Sequence, residues 1–324
     1  MVVVGLLPLA AAVAAPLPKD NRPFISPDTV NRLKPVGEMD RDVYRFVWGP
    51  KPGEVALLSW TQPVEVLDDL TLKPTRKFGS GRILIHMAVS PGRETVAWCE
   101  NAPLVEVLDV KSGKSITIET GMSQPDLAFS PDGKLLATGG SGAQAKLWEA
   151  ATGKPVRSLE AGGEGGITVV FSPDGRVLAV GNRNDTTRLY DVSSGKLLHT
   201  LDRAMTQGLK FSPDNKLLAV GYVDGTVGLW DVKSGKLVRS APGRVKEVYE
   251  VDWTPKGDVL VTAGREGKVV LWDPKELTVL KELESPEWVI QARFSPDGTR
   301  LWTAGGRIDG GAERKVVVWG LPDR

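Results

Sequence analysis

Hydrophobic and polar positions along this chain repeat with a period of about 41 residues. In each unit an apolar segment ends at a bulky anchor residue, and a turn of the type SPDG commonly follows it. The seven anchors are Trp48, Val89, Phe129, Phe171, Phe211, Trp253 and Phe294. A second landmark stands nineteen residues after each of the first six anchors, at Leu67, Leu108, Trp148, Tyr190, Trp230 and Trp272, and in the seventh unit it is Trp319. Landmarks that keep their separation in this way predict one repeated structural motif.

Each unit is predicted to form four β-strands, named a to d in chain order. Strand a has apolar residues two and five places before its anchor, as Val251 and Val248 stand before Trp253, which indicates a face on a core. In the SPDG turn, proline fixes φ and the following aspartate and glycine reverse the chain, so strand b begins at once. Strand b is apolar throughout, as in KLLAV, which is typical of a strand covered on both faces. Strand c is the VGLW or VVLW segment, and strand d follows SGK.

The landmark dipeptides and the turns resemble those of the WD-repeat family, over about residues 29 to 320. The matching segments are Trp148-Glu149, Tyr190-Asp191, Trp230-Asp231 and Trp272-Asp273, with FSPDG at 129–133, 171–175 and 294–298. The resemblance implies an all-β fold, a seven-bladed β-propeller made of four-stranded antiparallel blades. It does not by itself define a function.

The seventh unit has no room for a strand d, because only GLPDR follows Trp319. The segment TVNRLKPVG at 29–37 stands where strand d precedes strand a in the other units. We therefore predict that this N-terminal strand pairs with the last blade and closes the ring, which removes an exposed sheet edge. The predicted organisation is a signal peptide at 1–15, a proline-rich leader at 16–28, one propeller domain at 29–320 and a tail at 321–324.

Charge and the N-terminal sequence limit the expected partners and locations. The chain has 41 Lys and Arg against 40 Asp and Glu, a formal net charge of +1, so no overall field attracts nucleic acid or an anionic membrane. The apolar N-terminal run is too short to span a bilayer, and Ala12 and Ala14 are spaced as in a signal-peptide cleavage site. This pattern predicts a secreted or periplasmic protein of a bacterium. A cytoplasmic location is the alternative.

Residues that could support catalysis or metal binding are few. Cys99 stands where other units have glycine or alanine, which predicts a buried structural thiol rather than a nucleophile. His86 and His199, the two histidines, are too few for a three-histidine zinc site. Beyond His86, no converging acids or metal ligands are identified on the a strands. The glycine-rich segment 161–166 leads into a strand and is interpreted as a loop without an anion site. No catalytic residue, metal or cofactor is expected.

Buried tryptophan networks that lock blades in the WD-repeat family are kept only in part. Thr138 with Trp148, and Thr262 with Trp272, retain a hydroxyl and an indole in matching places. The unit of Trp230 has an aspartate in the turn but no hydroxyl identified on strand b. Stability is therefore expected to be uneven among the blades.

The loops between strands b and c, and the links between strands d and a, vary most from unit to unit. Strand alternation places both sets at one end of the ring, which we call the loop face. Loops on a rigid frame can change chemistry without loss of the fold, and Arg, Tyr and Trp are common anchors of protein interfaces. The predicted partner-binding residues on the loop face are Arg183, Asn184, Tyr222, Arg244, Arg265, Glu266, Trp288, Arg307 and Asp309.

The WD-repeat resemblance implies a non-enzymatic scaffold that binds protein or peptide partners through the loop face. The alternative is a propeller enzyme or small-ligand binder, similar to the lactonase-like or quinoprotein families, with a site in the central channel. A polar cluster with perturbed acidities in the channel would favour the alternative. An apolar or aromatic patch on the loop face would favour the scaffold.

Overall fold

A computed structural model describes residues 22–322, except 42, 50, 60–61, 79–83, 93, 101–102, 124, 286–287 and 307–314. In this part of the chain there is one short 3₁₀ helix, Val30–Arg32, and the other elements are β-strands. The predicted all-β class is confirmed. No helix among the described residues combines the length and apolarity needed to cross a membrane.

The strands are numbered in chain order. The first fourteen are β1 (Lys34–Asp40), β2 (Val43–Trp48), β3 (Glu54–Ser59), β4 (Val64–Asp68), β5 (Pro74–Phe78), β6 (Leu84–Val89), β7 (Thr95–Glu100), β8 (Leu104–Asp109), β9 (Ser115–Glu119), β10 (Leu127–Phe129), β11 (Leu135–Thr138), β12 (Ser141–Glu149), β13 (Pro155–Phe171) and β14 (Val177–Asn182). The others are β15 (Thr186–Asp191), β16 (Leu197–Ala204), β17 (Thr206–Phe211), β18 (Leu217–Tyr222), β19 (Thr226–Asp231), β20 (Lys236–Pro242), β21 (Val248–Trp253), β22 (Leu260–Gly264), β23 (Lys268–Asp273), β24 (Thr278–Glu284), β25 (Val289–Phe294), β26 (Arg300–Gly305) and β27 (Lys315–Gly320).

Four-stranded antiparallel sheets are the repeated unit, as the sequence period predicted. Five such sheets are separate: β2 to β5, β6 to β9, β17 to β20, β21 to β24, and a sheet in the order β1, β27, β26, β25. The remaining strands, β10 to β16, form one seven-stranded sheet. The expected division into seven separate four-stranded blades is therefore not what the sheets show.

The seven-stranded sheet arises because β13 is one long strand that serves as strand d of one unit and as strand a of the next unit. Its first half pairs with β12 and its second half with β14. The glycine-rich segment 161–166 lies within β13, so its interpretation as a loop was wrong. Gly165 and Gly166 pair with Gly142 and Ser141 of β12, which extends the hairpin beyond its length in other units. Glycine at both edges allows this close backbone pairing.

The SPDG turns use the same side-chain bonds in successive units. The Ser130 hydroxyl donates to Asp132 at 2.6 Å and accepts from the amide of Leu135 at 2.9 Å. Ser172 and Ser295 repeat the bond to their aspartates. The hydrogen bond from Ser130 and the amide of Lys134 hold the pKa of Asp132 below its usual value. These aspartates serve the turns, as their sequence context indicated.

The N-terminal segment joins the last sheet. β1 pairs antiparallel with β27, from Lys34 opposite Gly320 to Asp40 opposite Lys315. The strand begins at Lys34 and not at residue 29, because residues 30–32 form the 3₁₀ helix, whose buried Val30 is fully covered. Ahead of this helix, the amide of Ile25 donates to the carbonyl of Gly298 at 2.9 Å.

Neighbouring sheets are held together by shared clusters of buried side chains. Phe46 and Val55 of the first sheet pack in one cluster with Trp302 and Val318 of the last sheet. The a strands are in contact in the order β2, β6, β10, β13, β17, β21 and β25, and β25 also contacts β2. Burial between sheets is therefore the main source of cohesion in this repeat fold.

Candidate functional site

The loops at one end of the sheets are fastened to one another by backbone hydrogen bonds. The amides of Arg183 and Arg265 donate to the carbonyls of Gly166 and Glu247, at 3.0 and 3.1 Å. Each bond joins a b–c loop to a d–a link of the same unit. Arg183 and Arg265 are therefore presented on a supported frame rather than on free loops.

A row of side chains runs across this face, and we call Arg183, Glu247, Arg265 and Trp288 the charged row. Glu247 lies between the two arginines, with Arg183 Nη2 at 3.7 Å from Oε2 and Arg265 Nη1 at 3.4 Å from Oε1. The Arg265 guanidinium also stacks 4.6 Å from the centre of the Trp288 ring. Arg183 and Arg265 remain 54% and 43% exposed. Ion pairs this exposed add little stability, so these bonds cost little to break.

Two other predicted residues flank the charged row. Glu266 pairs with Lys246, with Nζ at 2.5 Å from Oε1, and its backbone has φ of 90°. Arg244 is exposed and also has positive φ, 62°. Left-handed backbone at residues other than glycine is uncommon and costs free energy unless neighbouring structure holds it. At Arg244 and Glu266 the left-handed backbone occurs in tight loops and sets the direction of each side chain.

Asn184 and Asn182 fix the glycine-rich part of β13. The Asn184 side-chain amide donates to the carbonyl of Glu164 at 3.1 Å, and its backbone amide donates to Asn182 Oδ1 at 2.8 Å. Asn182 is fully buried and donates to the carbonyls of Ala161 and Gly163. Asn184 is exposed beside this network. Sequence reasoning identified Asn184 but not the buried Asn182, which orders the loop around it.

Tyr222 is placed differently from the prediction, because its side chain is only 1% exposed. Its hydroxyl accepts the indole N–H of Trp230 at 2.8 Å, and the Arg203 guanidinium covers its ring at 4.2 Å from the centre. Burial raises the pKa of Tyr222 to about 12. Tyr222 therefore supplies the hydroxyl that appeared to be missing from this unit, and it does not offer a contact surface. Arg307 and Asp309 lie outside the described residues.

Sequence reasoning missed several side chains on the same face. Arg203, above the ring of Tyr222, also pairs with Asp224 at 2.6 Å. Met205 is 53% exposed with φ of 66°, and its amide donates to the carbonyl of Asp185. An exposed methionine on an ordered loop is an adaptable apolar contact. Its position in the d–a link DRAMTQG was the available signal.

A second polar group lies inside the molecule, on the a strands, and contradicts the expectation that these strands carry no converging charges beyond His86. Its members stand one or three places before the anchors, and of these positions sequence reasoning singled out His86 alone. We call it the interior polar cluster, and its members are Arg45, His86, Asp126, Lys210, Glu250, Asp252 and Arg293.

One half of the interior polar cluster is built around His86. Its Nδ1 lies 3.1 Å from Arg45 Nη1 and 3.2 Å from Asp126 Oδ1. Burial and the charge of Arg45 lower the pKa of His86, against the opposite effect of Asp126. Burial raises the pKa of Asp126, but the hydrogen bond with His86 and the charge of Arg45 lower it more strongly, so that its pKa lies below the usual value. The arrangement holds a neutral imidazole beside an ionised carboxylate.

The other half consists of two ion pairs. Arg293 Nη2 is 3.3 Å from Glu250 Oε1, and Lys210 Nζ is 3.1 Å from Asp252 Oδ1. Asp252 also accepts the amide of Phe294 at 2.9 Å, which ties the a strands of two sheets together. Burial raises the pKa of Glu250, against the lowering effect of Arg293.

The chemistry of the remaining candidates is limited. Cys99 is fully buried, as predicted for a structural thiol, and its Sγ donates to the carbonyl of Pro125 at 3.4 Å. Burial raises the pKa of the Cys99 thiol to about 12, which keeps the unreactive protonated form. Among the described residues, no group of three or more His, Cys, Asp or Glu side chains is placed to hold a metal ion.

Comparisons with known proteins agree with the repeat architecture. The family described as "WD domain, G-beta repeat" matches residues 120–149, and the family described as "Eukaryotic translation initiation factor eIF2A" matches residues 144–266. Guanine nucleotide-binding protein subunit beta of Arabidopsis thaliana is 29% identical over 68 residues, and that of Oryza sativa subsp. indica is 30% identical over 69. Each alignment covers 21% of this chain and 18% of the relative.

The matches show that parts of this chain are similar to WD-repeat proteins, and the four-stranded antiparallel sheets give a propeller-like arrangement. The chain aligns with less than a fifth of the length of these relatives, so the activities of the relatives do not transfer with the alignment. The matches do not support the bacterial origin that was expected.

Proposed function

We propose that this chain is a non-enzymatic, seven-bladed WD-repeat scaffold that binds a protein or peptide partner through its loop face. The observation that supports this most is the charged row, in which Arg183, Glu247, Arg265 and Trp288 connect loops of three units. These side chains are exposed or partly exposed and are mutually oriented. Arginine and tryptophan give large contact areas with directed polar bonds, which is the chemistry of interface anchors.

The seven-bladed ring rests on two observations. Because β13 serves two successive units, the five separate sheets and the seven-stranded sheet correspond to seven groups of four strands. The pairing of β1 with β27 and the contact of β25 with β2 support closure between the chain's two ends. A closed ring would keep the loop face rigid, which lowers the entropic cost of binding.

The relatives supply a further argument for a partner protein. Each is named as a subunit, the beta subunit of a guanine nucleotide-binding protein. A subunit is by definition part of an assembly. By analogy with them, we propose that the present chain acts as one component of a complex.

The loop face can be tested by a triple variant, Arg183→Ala, Arg265→Ala and Trp288→Ala, compared with the wild type in affinity purification with quantitative mass spectrometry. The matched control is Lys134→Ala, Arg176→Ala and Lys216→Ala, which removes three exposed cations that directly follow the SPDG and SPDN turns. We expect a partner that the wild type and the control recover equally and the loop-face variant loses at least tenfold. Equal recovery by all three proteins would refute the proposed face.

The interior polar cluster favours a second candidate function, the binding of a small polar ligand in the central channel. Its neutral His86 beside an ionised Asp126 is the perturbed pair that this alternative requires. NMR titration of the two histidine side chains with small organic acids and amines tests this. A saturable shift of His86 without a shift of His199 would support a channel ligand, and unchanged spectra would count against it.

The location also remains a proposal. We propose export from the cytoplasm, with the support of the apolar N-terminal run and its small residues. Expression in a secreting host followed by N-terminal sequencing should find a mature chain that lacks residues 1–15. An intact N-terminus inside the cell would instead favour the cytoplasmic alternative.

A further inference from the structure

We propose that a pocket between the first and last sheets binds an arginine side chain of a partner peptide. The pocket has a volume of about 570 Å³. It is formed by turns at the ends of β2, β4 and β25 together with the N-terminal segment around Phe24. We call it the closure pocket, and the residues on which the proposal depends are Phe24, Trp48, Glu54, Asp68, Asp69 and Asp297.

Asp69 points to a ligand because it is a buried carboxylate with an unused acceptor. The residue is 8% exposed, and its Oδ1 has no hydrogen-bond partner among the described residues. Its backbone is fully engaged, since the amide donates to Gly53 at 2.8 Å and the carbonyl accepts from the Arg300 guanidinium. A buried polar atom without a partner costs free energy. A donor that enters the pocket would recover this loss.

The charge of the closure pocket favours a cation. Four carboxylates line it, Glu54, Asp68, Asp69 and Asp297, against the two guanidinium groups of Arg22 and Arg300. Turns hold the carboxylates of Asp68 and Asp297 in place, because the Oδ1 of each accepts bonds from its own turn. Asp297 Oδ2 also lies 3.8 Å from Arg22 Nη2, and the pocket as a whole keeps more carboxylates than guanidinium groups.

The arrangement of the carboxylates and aromatic rings favours a guanidinium over a metal ion. No group of three or more His, Cys, Asp or Glu among the described residues is placed to hold a metal. A planar guanidinium instead carries five N–H donors that reach separated acceptors, and it also stacks on aromatic rings. Trp48 supplies such a ring. Phe24, 49% exposed beside it, already has the Lys256 ammonium 4.2 Å from its ring centre, which shows that this ring accepts a cation. An arginine side chain meets each of these features.

This site is separate from the charged row. Its turns follow strands a and c, whereas the loop face is made by the b–c loops and d–a links, at the other ends of the strands. The closure pocket is thus a second contact point. Its test uses short peptides and no cellular partner, so failure here leaves the loop-face proposal standing, and the reverse also holds.

The probe is the peptide acetyl-Gly-Arg-Gly-amide, titrated into the full chain and followed by two-dimensional NMR, with the Trp48 indole assigned through Trp48→Phe. The control peptide replaces arginine by citrulline, which has nearly the same shape and no charge. We expect the arginine peptide to shift the Trp48 indole and the Gly53 amide, with an affinity at least tenfold higher than that of the citrulline peptide. Equal affinities, or no shift at these positions, would overturn the proposal.

The variant Asp69→Asn keeps the size of the side chain and removes its charge. This variant should bind the arginine peptide with at least tenfold lower affinity than the wild type. The matched control is Asp202→Asn, which removes a carboxylate from an exposed position on β16 and should leave the affinity unchanged. If Asp69→Asn binds as tightly as the wild type, the proposal fails. The comparison of the two peptides on the wild type decides the question even if the variant does not fold.

Discussion

At the residue scale, the buried indoles show how one structural need is met by different sequences. Trp148 and Trp272 each donate to a threonine ten residues earlier, at 2.9 Å, and this pairing could be predicted from the repeat register. Trp230 donates to Tyr222, eight residues earlier. That partner could not be predicted from the repeat. Tyrosine has a longer side chain than threonine, so its hydroxyl meets the indole from another position of strand b. The indole N–H of Trp302 is buried without a hydrogen-bond partner in the described part of the chain.

Tyr222→Phe should destabilise the fold by about 1–3 kcal/mol, because it leaves the buried Trp230 indole N–H without an acceptor. Urea unfolding followed by circular dichroism measures the change. In a double-mutant cycle with Trp230→Phe, the loss from Tyr222→Phe should be smaller once the indole is absent. Additive losses would show that the hydrogen bond is not the cause.

The lowered pKa of His86 predicts a loss of stability in mild acid. Burial and Arg45 lower the folded-state pKa of His86, whereas the unfolded chain takes up the proton near pH 6.5. Between these two pKa values the unfolded state binds more protons, so the free energy of unfolding falls as the pH falls below about 6.5, by at most about 1.4 kcal/mol per pH unit.

Unfolding measured from pH 7.5 to 5.5 tests this. His86→Asn should flatten the pH dependence, since asparagine keeps a polar side chain at this place but does not titrate. His199→Asn, which changes the other histidine on an outer strand, is the control for the loss of an imidazole. An unchanged slope in His86→Asn would assign the acid sensitivity to other groups.

At the element scale, β13 shows where the repeat pattern stops predicting the structure. The period located every strand a and strand c, and the SPDG turns located the hairpins. It did not show that residues 161–166 would continue as a strand, because glycine-rich sequence normally indicates a loop. The missing information was tertiary: buried Asn182 bonds the carbonyls of Ala161 and Gly163 and fixes the extended backbone.

Two adjacent glycines of β13 give a sharp test of this account. A Cβ on Gly165 would lie 2.5 Å from Asn182 Oδ1, whereas a Cβ on Gly166 would have nothing within 4 Å. Gly165→Ala should therefore cost about 1–3 kcal/mol of stability. Gly166→Ala should be neutral or stabilise by up to about 1 kcal/mol, because alanine restricts the unfolded chain. Thermal unfolding compares the stabilities of the two variants. Equal effects would show that Asn182 does not hold this part of β13 in place.

The outer strands are joined across neighbouring units by a recurrent contact. Arg157 donates to the carbonyl of Ser194, and Arg239 donates to the carbonyl of Lys275, both at 2.5 Å. His199 Nε2 stands in the corresponding place, 2.9 Å from the carbonyl of Lys233. A residue two or three places into strand d thus reaches the c–d turn of the next unit. These residues stand at similar positions of successive units. Their partners are backbone carbonyls, which every residue has, so the contact could not be predicted from the sequence.

At the scale of the whole molecule, the N-terminal segment unites distant parts of the chain. Besides the pairing of β1 with β27, Ile25, Val30 and Leu33 are buried in one cluster with side chains of the last two sheets. Lys281 Nζ donates to the carbonyls of Asn31 and Leu33, at 2.9 and 2.8 Å. The deficit in the seventh unit predicted which segment would be used, while its helical turn and its exact start could not be predicted from the period.

A chain that begins at residue 41 should be less stable and should self-associate, because β27 then becomes an open sheet edge. Light scattering after size exclusion and thermal unfolding, each at several protein concentrations, measure both effects. The control begins at residue 22 and keeps all the contacts described for the N-terminal segment. A monomer of unchanged melting temperature without β1 would contradict the importance of this pairing.

The interior polar cluster and the loop face also differ in how far sequence could anticipate them. The loop face followed from variation among units, although burial removed Tyr222 from it. The cluster could not be predicted in this way. Its residues stand one or three places before the anchors, and these positions come together only when the a strands face one another. Arg45 and His86, far from Glu250 and Arg293 in sequence, interact only through that arrangement.

The use of β1 to complete the last sheet sets an order on biosynthesis. β1 leaves the ribosome first, but its partner β27 is made after all the other strands. Until translation has passed residue 320, β1 has no partner in the last sheet. The final pairing therefore follows the synthesis of every other described strand, and the hydrogen-bonding edges of both strands stay open until it forms.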